Sequence, residues 1–282
     1  MSNKYSWSWP AFLSISQPQT RWRQARREIW SEAWSCPDFD VDGHGAASVR
    51  SLPEPDIALD LAALSERSVI ALVGLAFEAR IAAGPGVLVI CRGSDTSNLL
   101  QLAIGAGCRG IISFGVAGGL APNLLPGDCV VASAIVDYPA LRPTDPLWSR
   151  KLADIIPQAR HGSIVGVNSV VSDPVDKHKL HARTGAVAVD MESHLVARLA
   201  AAHGLAFAAL RVIVDPAHRS LPPVALLAMA PGGSTDVSAM VREILARPSQ
   251  MSPLARLAAD ALAARAALIR LRQALGPSFS WE

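Results

Sequence analysis

Three acidic residues stand where an α/β sheet places its chemistry. Asp215 closes the apolar run Arg211-Val-Ile-Val-Asp215 and is followed by Pro216. Strand C-termini in open α/β sheets carry catalytic groups, and an acid leaving an apolar strand is partly desolvated. That raises its pKa and suits it to general-acid work near neutrality. The same residue also reads as an Asp turn before proline. Glu192, in Val189-Asp-Met-Glu-Ser193, lies where a buried strand runs into a helix. The positive end of the helix dipole keeps a carboxylate ionised there, able to accept hydrogen bonds from two hydroxyls such as the 2′- and 3′-OH of a ribose. Its bland alternative is an exposed first-turn acid. Asp190 is the N-cap by residue type and position. A fourth acid, Glu78, comes just after the first core strand in Gly74-Leu-Ala-Phe-Glu-Ala-Arg80.

Glycines offer a second kind of chemistry. Phe114-Gly-Val-Ala-Gly-Gly-Leu120 places three of them directly after a strand, where they let backbone groups approach a ligand closely. A tight βα turn would need them as well. Gly105-Ala-Gly-Cys-Arg-Gly110 has the letters of a dinucleotide loop, but it follows a helix and precedes a strand, the reverse of what a pyrophosphate site needs. It reads as a helix end and turn. There is no GxSxG elbow, HExxH pair or Walker loop. His178 and His181 share a helical face without a third ligand and read as surface residues. No metal and no other cofactor is expected.

The elements that must position these residues alternate. Short β-branched runs at 69–73, 87–91, 110–114, 128–133, 163–167, 186–189 and 207–214 are nearly continuous apolar segments, as strands buried on both faces should be. Helical stretches fall at 97–106, 175–183, 191–203 and 234–246. Pro-rich breaks at 139–146 and 222–223 read as surface loops. The pattern predicts a three-layer α/β/α catalytic domain over about 68–250. Residues 251–282 form a further unit, an amphipathic helix and tail. Its apolar stripe is Leu254, Leu257, Ala261, Ala264, Leu268, Leu271 and Leu275, with Arg256, Asp260, Arg265, Arg270 and Arg272 off it. Such a helix docks on its domain or on a partner subunit, and its basic face also suits a membrane surface.

Residues 1–67 differ in composition. Five of the seven tryptophans (Trp7, Trp9, Trp22, Trp30 and Trp34) lie there. This extension reads as a lid or dimer arm, a membrane-interface tether, or a poorly ordered segment, the last favoured by the Pro, Ser, Gly and Asp crowding 35–56. The whole chain of 282 residues is half hydrophobic with a mean hydropathy of +0.28, which excludes disorder over most of its length. A net charge of +2 argues against nucleic acid as a partner. No apolar run is long enough to span a bilayer, and the N-terminus lacks a signal-peptide core. Four cysteines without a CxxC pair (Cys36, Cys91, Cys108 and Cys129) read as reduced cytosolic thiols.

Taken in order, these segments resemble the nucleoside phosphorylase/nucleosidase superfamily, over about 68–215. The general likeness is to methylthioadenosine/adenosylhomocysteine nucleosidases. Ser113–Leu120 with Leu125-Pro-Gly-Asp-Cys-Val-Val131 looks like their glycine turn and following strand, Ala188-Val-Asp-Met-Glu192 like their ribose-binding segment, and Arg211–Asp215 like the strand that delivers their acid. Asp215-Pro-Ala, Leu221-Pro-Pro, Leu245-Ala-Arg-Pro248 and the Ala/Arg/Leu-rich last helix resemble the hopanoid-associated branch, which is assigned to removing adenine from adenosylhopane.

The resemblance implies a central mixed sheet flanked by helices, and an enzyme that cleaves the N-glycosidic bond of an adenine nucleoside. Its partners would be that nucleoside or nucleosyl lipid, phosphate if it is a phosphorylase, and further copies of itself. It would be cytoplasmic, or peripheral at the inner membrane face for a lipid substrate. Asp215 would protonate or hydrogen-bond the purine at N7, and Glu78 would activate the attacking water. Glu192 would hold the ribose hydroxyls with Met191 packing beneath. Gly93, Ser94, Val116, Ala117 and Gly118 would line the sugar and nucleophile end, and Val167, Asn168 and Ser169 would lie along the base. Two departures bear on the reaction. Phosphorylases of the superfamily place an Arg in the strand before the glycine turn, and Ile111-Ile-Ser-Phe-Gly115 has none, which favours water as nucleophile unless Arg80 or Arg92 substitutes. Val214 stands where the nucleosidases usually have Ser, which should raise the pKa of Asp215 further.

Overall fold

The computed structural model describes residues 69–93, 96–222 and 251–281. The extension at 1–67, Ser94, Pro223 and the expected helix at 234–246 lie outside them. All of the described residues fall in one compact unit.

Eight strands form one mixed sheet: β1 (Val69–Val73), β2 (Val87–Cys91), β3 (Gly110–Gly119), β4 (Cys129–Asp137), β5 (Ala140–Pro143), β6 (Arg160–Gly166), β7 (Ala188–Asp190) and β8 (Ala206–Asp215). The path β2-β1-β3-β7-β6-β4-β5 is completed by β8, which pairs with both β3 and β4. Strands β3, β7, β6, β4 and β8 therefore close into a ring, with parallel β3–β8, β4–β6 and β6–β7 pairs and antiparallel β3–β7 and β4–β8 pairs. Among the described residues the helices are α1 (Ala76–Ala82), α2 (Thr96–Gly105), α3 (Pro146–Ile155), α4 (Pro174–Thr184), α5 (Ser193–His203) and α6 (Met251–Leu275).

Local sequence explains most boundaries. Helix α4 starts at Pro174 with the Asp173 carboxylate accepting from Val175 N (2.7 Å), and it ends at Gly185 with φ +68°. Gly204, with φ +63°, ends α5 in the same way. Helix α2 ends at Gly105 and turns through Gly107, so the GxGxxG letters are indeed a helix end.

Three expectations change. The glycines after Phe114 belong to β3 itself, which runs on to Gly119. Strand β3 is squeezed between β7 and β8 there. A Cβ on Gly118 would lie 3.1 Å from Val189 Cγ1, and one on Gly119 would lie 3.3 Å from Ile213 Cγ2. The segment 139–146, expected as a loop, holds edge strand β5 and the start of α3. Pro143 and Pro146 are compatible with this: Pro143 closes an edge strand and Pro146 takes the first helical position. The charged face of α6 is also broken. Arg272 is buried, donating from Nε to Ala82 O (2.9 Å) and stacking over Phe279 at 4.6 Å.

The main core joins β1, β3, β4 and β8 to Ala264, Ala267, Leu268, Leu271 and Leu275 of α6, with Phe279 and Trp148 sealing its end. The last helix is thus docked on the sheet. Among the described residues no helix is long and apolar enough to cross a membrane.

Candidate active site

The site begins with a cation inside a strand. Arg211 lies in β8 opposite Gly115 of β3 and is fully buried. Its Nε lies 2.7 Å from the Asp190 carboxylate, and its Nη2 bonds Ser113 Oγ (2.6 Å) and Glu192 Oε2 (3.3 Å). Nη1 donates to Val116 O at 3.4 Å. A guanidinium taken out of water needs such partners, and here several chain segments deliver them to one point.

Glu78, on the first turn of α1, is the next member. Its Oε2 accepts from Gly74 N (2.8 Å) and Leu75 N (2.9 Å), and its Oε1 accepts from Val116 N (2.7 Å). Burial pushes this carboxyl up to about 7; Arg211 and the backbone donors pull the other way, and Glu192 adds to the rise. A carboxylate offers about four lone-pair positions, so three backbone bonds leave room for one more donor. Gly115 is what lets these groups meet. Its φ is +150°, and a Cβ there would lie 2.4 Å from Glu78 Oε1 and 2.8 Å from Arg211 Nη1.

Glu192 faces the same corner. Its Oε1 pairs with Arg92 Nη1 at 3.2 Å, and a Cβ on Gly74 would come within 3.0 Å of that oxygen. Glu192 occupies the N-cap position of α5 but makes no side-chain cap bond; it is buried rather than an exposed first-turn acid. The expected capping by Asp190 takes another form. Its carboxylate accepts from Ser193 N at 3.1 Å and from Ser193 Oγ, closing the turn before the helix while holding Arg211.

Asp215 is the last residue of β8 and is buried. Its Oδ2 lies 3.9 Å from where a Cβ on Gly118 would sit, and 2.5 Å from Lys177 Nζ. Burial pushes the Asp215 carboxyl above its ordinary value, with Lys177 opposing. Strand β3 thus runs from Gly115, beside Glu78 and Arg211, to Gly118, beside Asp215. Three residues of strand separate the two ends by about 10 Å. Glu78 and Asp215 thus lie toward opposite ends of this stretch of β3, with Glu192 on the side of Arg211.

The remaining expected residues are distributed around this line. Val116 is half-buried with both backbone groups engaged, and Ala117 is buried. Met191 is half-buried between Asp190 and Glu192. Val167 donates from N to Asp190 O (2.9 Å), and exposed Asn168 meets His194 Nε2 through Oδ1 at 3.1 Å. Ser169 is exposed. The N–H of Gly93 is taken by Thr96 Oγ1 at 2.7 Å, so this glycine closes a turn before α2 rather than offering a free donor.

Sequence reasoning missed Arg211 and Lys177 as participants. Both carried a signal: Arg211 interrupts an otherwise apolar strand, and Lys177 shares a helical face with Leu180, three residues on. The missing Arg before the glycines also reads differently. Arg211 reaches that place from the neighbouring strand, but Asp190 and Glu192 already hold its donors. Among the described residues no cluster of three or more His, Cys, Asp or Glu could hold a metal ion.

The profile of the Phosphorylase superfamily matches residues 82–246, more than half of the chain, and the chain belongs to that superfamily. No curated protein matches the sequence. Among solved structures, the chain is similar to an S-adenosylhomocysteine nucleosidase from Streptococcus pyogenes in complex with 5-methylthiotubericidin. The identity is 15%, over 75% of this chain and 98% of that one, with a TM-score of 0.51. A 5'-methylthioadenosine/S-adenosyl homocysteine nucleosidase from Helicobacter pylori is 18% identical over 74% of this chain and 98% of its own, with a TM-score of 0.50. A futalosine hydrolase of Helicobacter pylori is 18% identical over 65% and 98%, with a TM-score of 0.49. At such identities the likeness to the two nucleosidases establishes the fold alone.

Proposed function

We propose that this protein is a nucleosidase that hydrolyses the N-glycosidic bond of an adenine nucleoside. The observation that carries this reading is the arrangement along β3, with buried Glu78 beside Arg211 at Gly115–Val116 and buried Asp215 at Gly118. Breaking an N-riboside needs an acid on the leaving base and negative charge facing an oxocarbenium-like sugar. Asp215 gives its proton to the base, and the glycosidic C–N bond breaks. Glu192 accepts hydrogen bonds from the ribose hydroxyls and faces the cationic sugar, taking the place that half-exposed Arg92 holds against it. Glu78, poised near neutrality, removes a proton from the water whose oxygen joins the anomeric carbon.

Water is favoured over phosphate on electrostatic grounds. The backbone N–H groups of Gly74, Leu75 and Val116 converge with Arg211 as an anion pocket would, but the Glu78 carboxylate already fills it. A phosphate dianion there would meet Glu78, Asp190 and Glu192 together, with Arg211 and Arg92 already paired.

The finer substrate is adenosylhopane. It rests on the resemblance of 215–217, 221–223, 245–248 and the last helix to the hopanoid-associated branch, and the Trp-rich extension at 1–67 is its lipid-handling arm. Purified protein given adenosylhopane, adenosine and methylthioadenosine, each with and without phosphate, tests both levels. Adenine release from any of them without phosphate is expected; none from all three overturns the enzyme reading. Removal of residues 1–67 should abolish cleavage of adenosylhopane and spare adenosine; equal loss on both contradicts the lipid role.

A further inference from the structure

We propose that Lys177 is a positioning residue for the leaving-group acid, presenting Asp215 through one oxygen and stabilising the carboxylate that forms as the proton leaves. This rests on the nucleosidase reading above. Lys177 projects from α4, and its side chain is fully buried. Three acceptors surround its ammonium: Asp215 Oδ2 (2.5 Å), Arg219 O (2.8 Å) and Pro216 O (3.1 Å). An ammonium has three donors, so each has a partner and none is left for substrate.

Two consequences follow. Lys177 ties the turn after β8 to α4, so the backbone carrying Asp215 has its position set by a charge-assisted clamp. It also engages Oδ2, so the proton that Asp215 delivers leaves from Oδ1. The Oδ1–H bond breaks, the N–H bond on the base forms, and the electron pair stays on a carboxylate already facing a cation. Lys177 keeps all its protons. The other charged groups facing Asp215 are Asp260 of α6 and Arg219 of the following turn, and these two pair with each other. The cation that answers the acid directly is therefore Lys177.

The geometry makes a claim that a purely structural lysine would not. Burial alone would leave Asp215 a very weak acid; a cation on Oδ2 makes it a better donor. Removing the charge should move the basic limb of the pH–rate profile upward while slowing turnover near neutrality, because a weaker acid is protonated to higher pH but gives up its proton less readily.

The test compares wild type, Lys177→Met and Lys177→Arg, using whichever of adenosine, methylthioadenosine and adenosylhopane releases adenine. Thermal unfolding of each variant checks the fold. Lys177→Met should lower kcat by about tenfold or more and shift the basic limb upward by about one pH unit. Lys177→Arg, which keeps the charge, should leave that limb near its wild-type position even if the longer side chain lowers kcat. A second readout needs no turnover: carbon-detected NMR titration of Asp215, which should titrate higher in Lys177→Met than in wild type. An unmoved limb in folded Lys177→Met, or an unmoved Asp215 titration, overturns the proposal. If Lys177→Met fails to fold, a limb displaced in Lys177→Arg as well overturns it. Wild type that releases no adenine defeats the nucleosidase reading instead, and the titration then decides the Lys177 coupling alone.

Discussion

Arg211 is the residue around which the site is charge-balanced. One buried guanidinium answers Asp190 and Glu192 directly and stands beside Glu78, so each acid is held by a partner that another acid also needs. Asp215 lies apart from this group, paired with Lys177, and the two ends can therefore hold different protonation states. Asp215→Asn should lower kcat by about 100-fold or more while leaving the melting temperature near that of wild type. Near-wild-type turnover would refute the acid role. Glu192→Ala should raise KM for a ribonucleoside and lower kcat, since it removes the hydroxyl acceptor and the charge facing the sugar. Unchanged kinetics would reduce Glu192 to a counter-ion of Arg211. The positions of both acids, at a strand end and a helix start, were legible from the sequence. Their counter-ions were fainter: Arg211 showed only as a break in an apolar strand and Lys177 only as a neighbour of Leu180 on one helical face, and neither signal names a partner. Only the pairing of β8 with β3 and the packing of α4 bring them inside.

Strand β3 is the element along which Glu78, Arg211 and Asp215 are gathered. Its glycines let Glu78 and Arg211 occupy space that side chains would otherwise fill. Gly115→Ala would drive a Cβ into Glu78 Oε1 and also place alanine at a positive φ. It should destabilise the protein by about 1–3 kcal/mol and lower kcat at least about tenfold, read by denaturant unfolding and adenine release. The run of apolar residues made the strand visible in the sequence, but its end was not. Glycine is a poor strand former, and β3 continues through three of them only because β7 and β8 supply partners on both sides. Strand β5 was hidden for a related reason, its closing Pro143 being tolerated at an edge that sequence does not reveal. Helix α6 was plain from its 3,4 spacing, and Leu268 carries the clearest consequence. Leu268→Ala should cost about 2–5 kcal/mol of unfolding free energy, seen as a lower denaturant midpoint, because a fully buried side chain leaves a cavity against β8.

At the scale of the molecule, the alternation of strands and helices was enough to predict the α/β class and central sheet. Closure of β3, β7, β6, β4 and β8 was not, since it depends on β8 pairing with two strands distant in sequence. Glu78 is buried against β3 beside Arg211 of β8, with a consequence for global stability. Burial in the folded protein raises this carboxyl to about 7, against an ordinary 4.5. Its favourable contribution is therefore complete below about pH 4.5 and is lost as pH rises through about 7, amounting to about 3 kcal/mol. Glu78→Gln has no group there to titrate. The difference in unfolding free energy, wild type minus variant, should fall with rising pH across that window in denaturant titrations. A difference independent of pH would contradict the burial of the ionisable group.

In the proposed reaction, water attacks the sugar between Glu78 and Asp215. The most direct measurement is turnover of a cleavable adenine nucleoside in ¹⁸O-labelled water with phosphate present, followed by mass analysis of the sugar product. Hydrolysis yields adenine together with a free sugar carrying one ¹⁸O at the anomeric position, at a rate that phosphate does not change. A phosphorylated sugar without the label would contradict it.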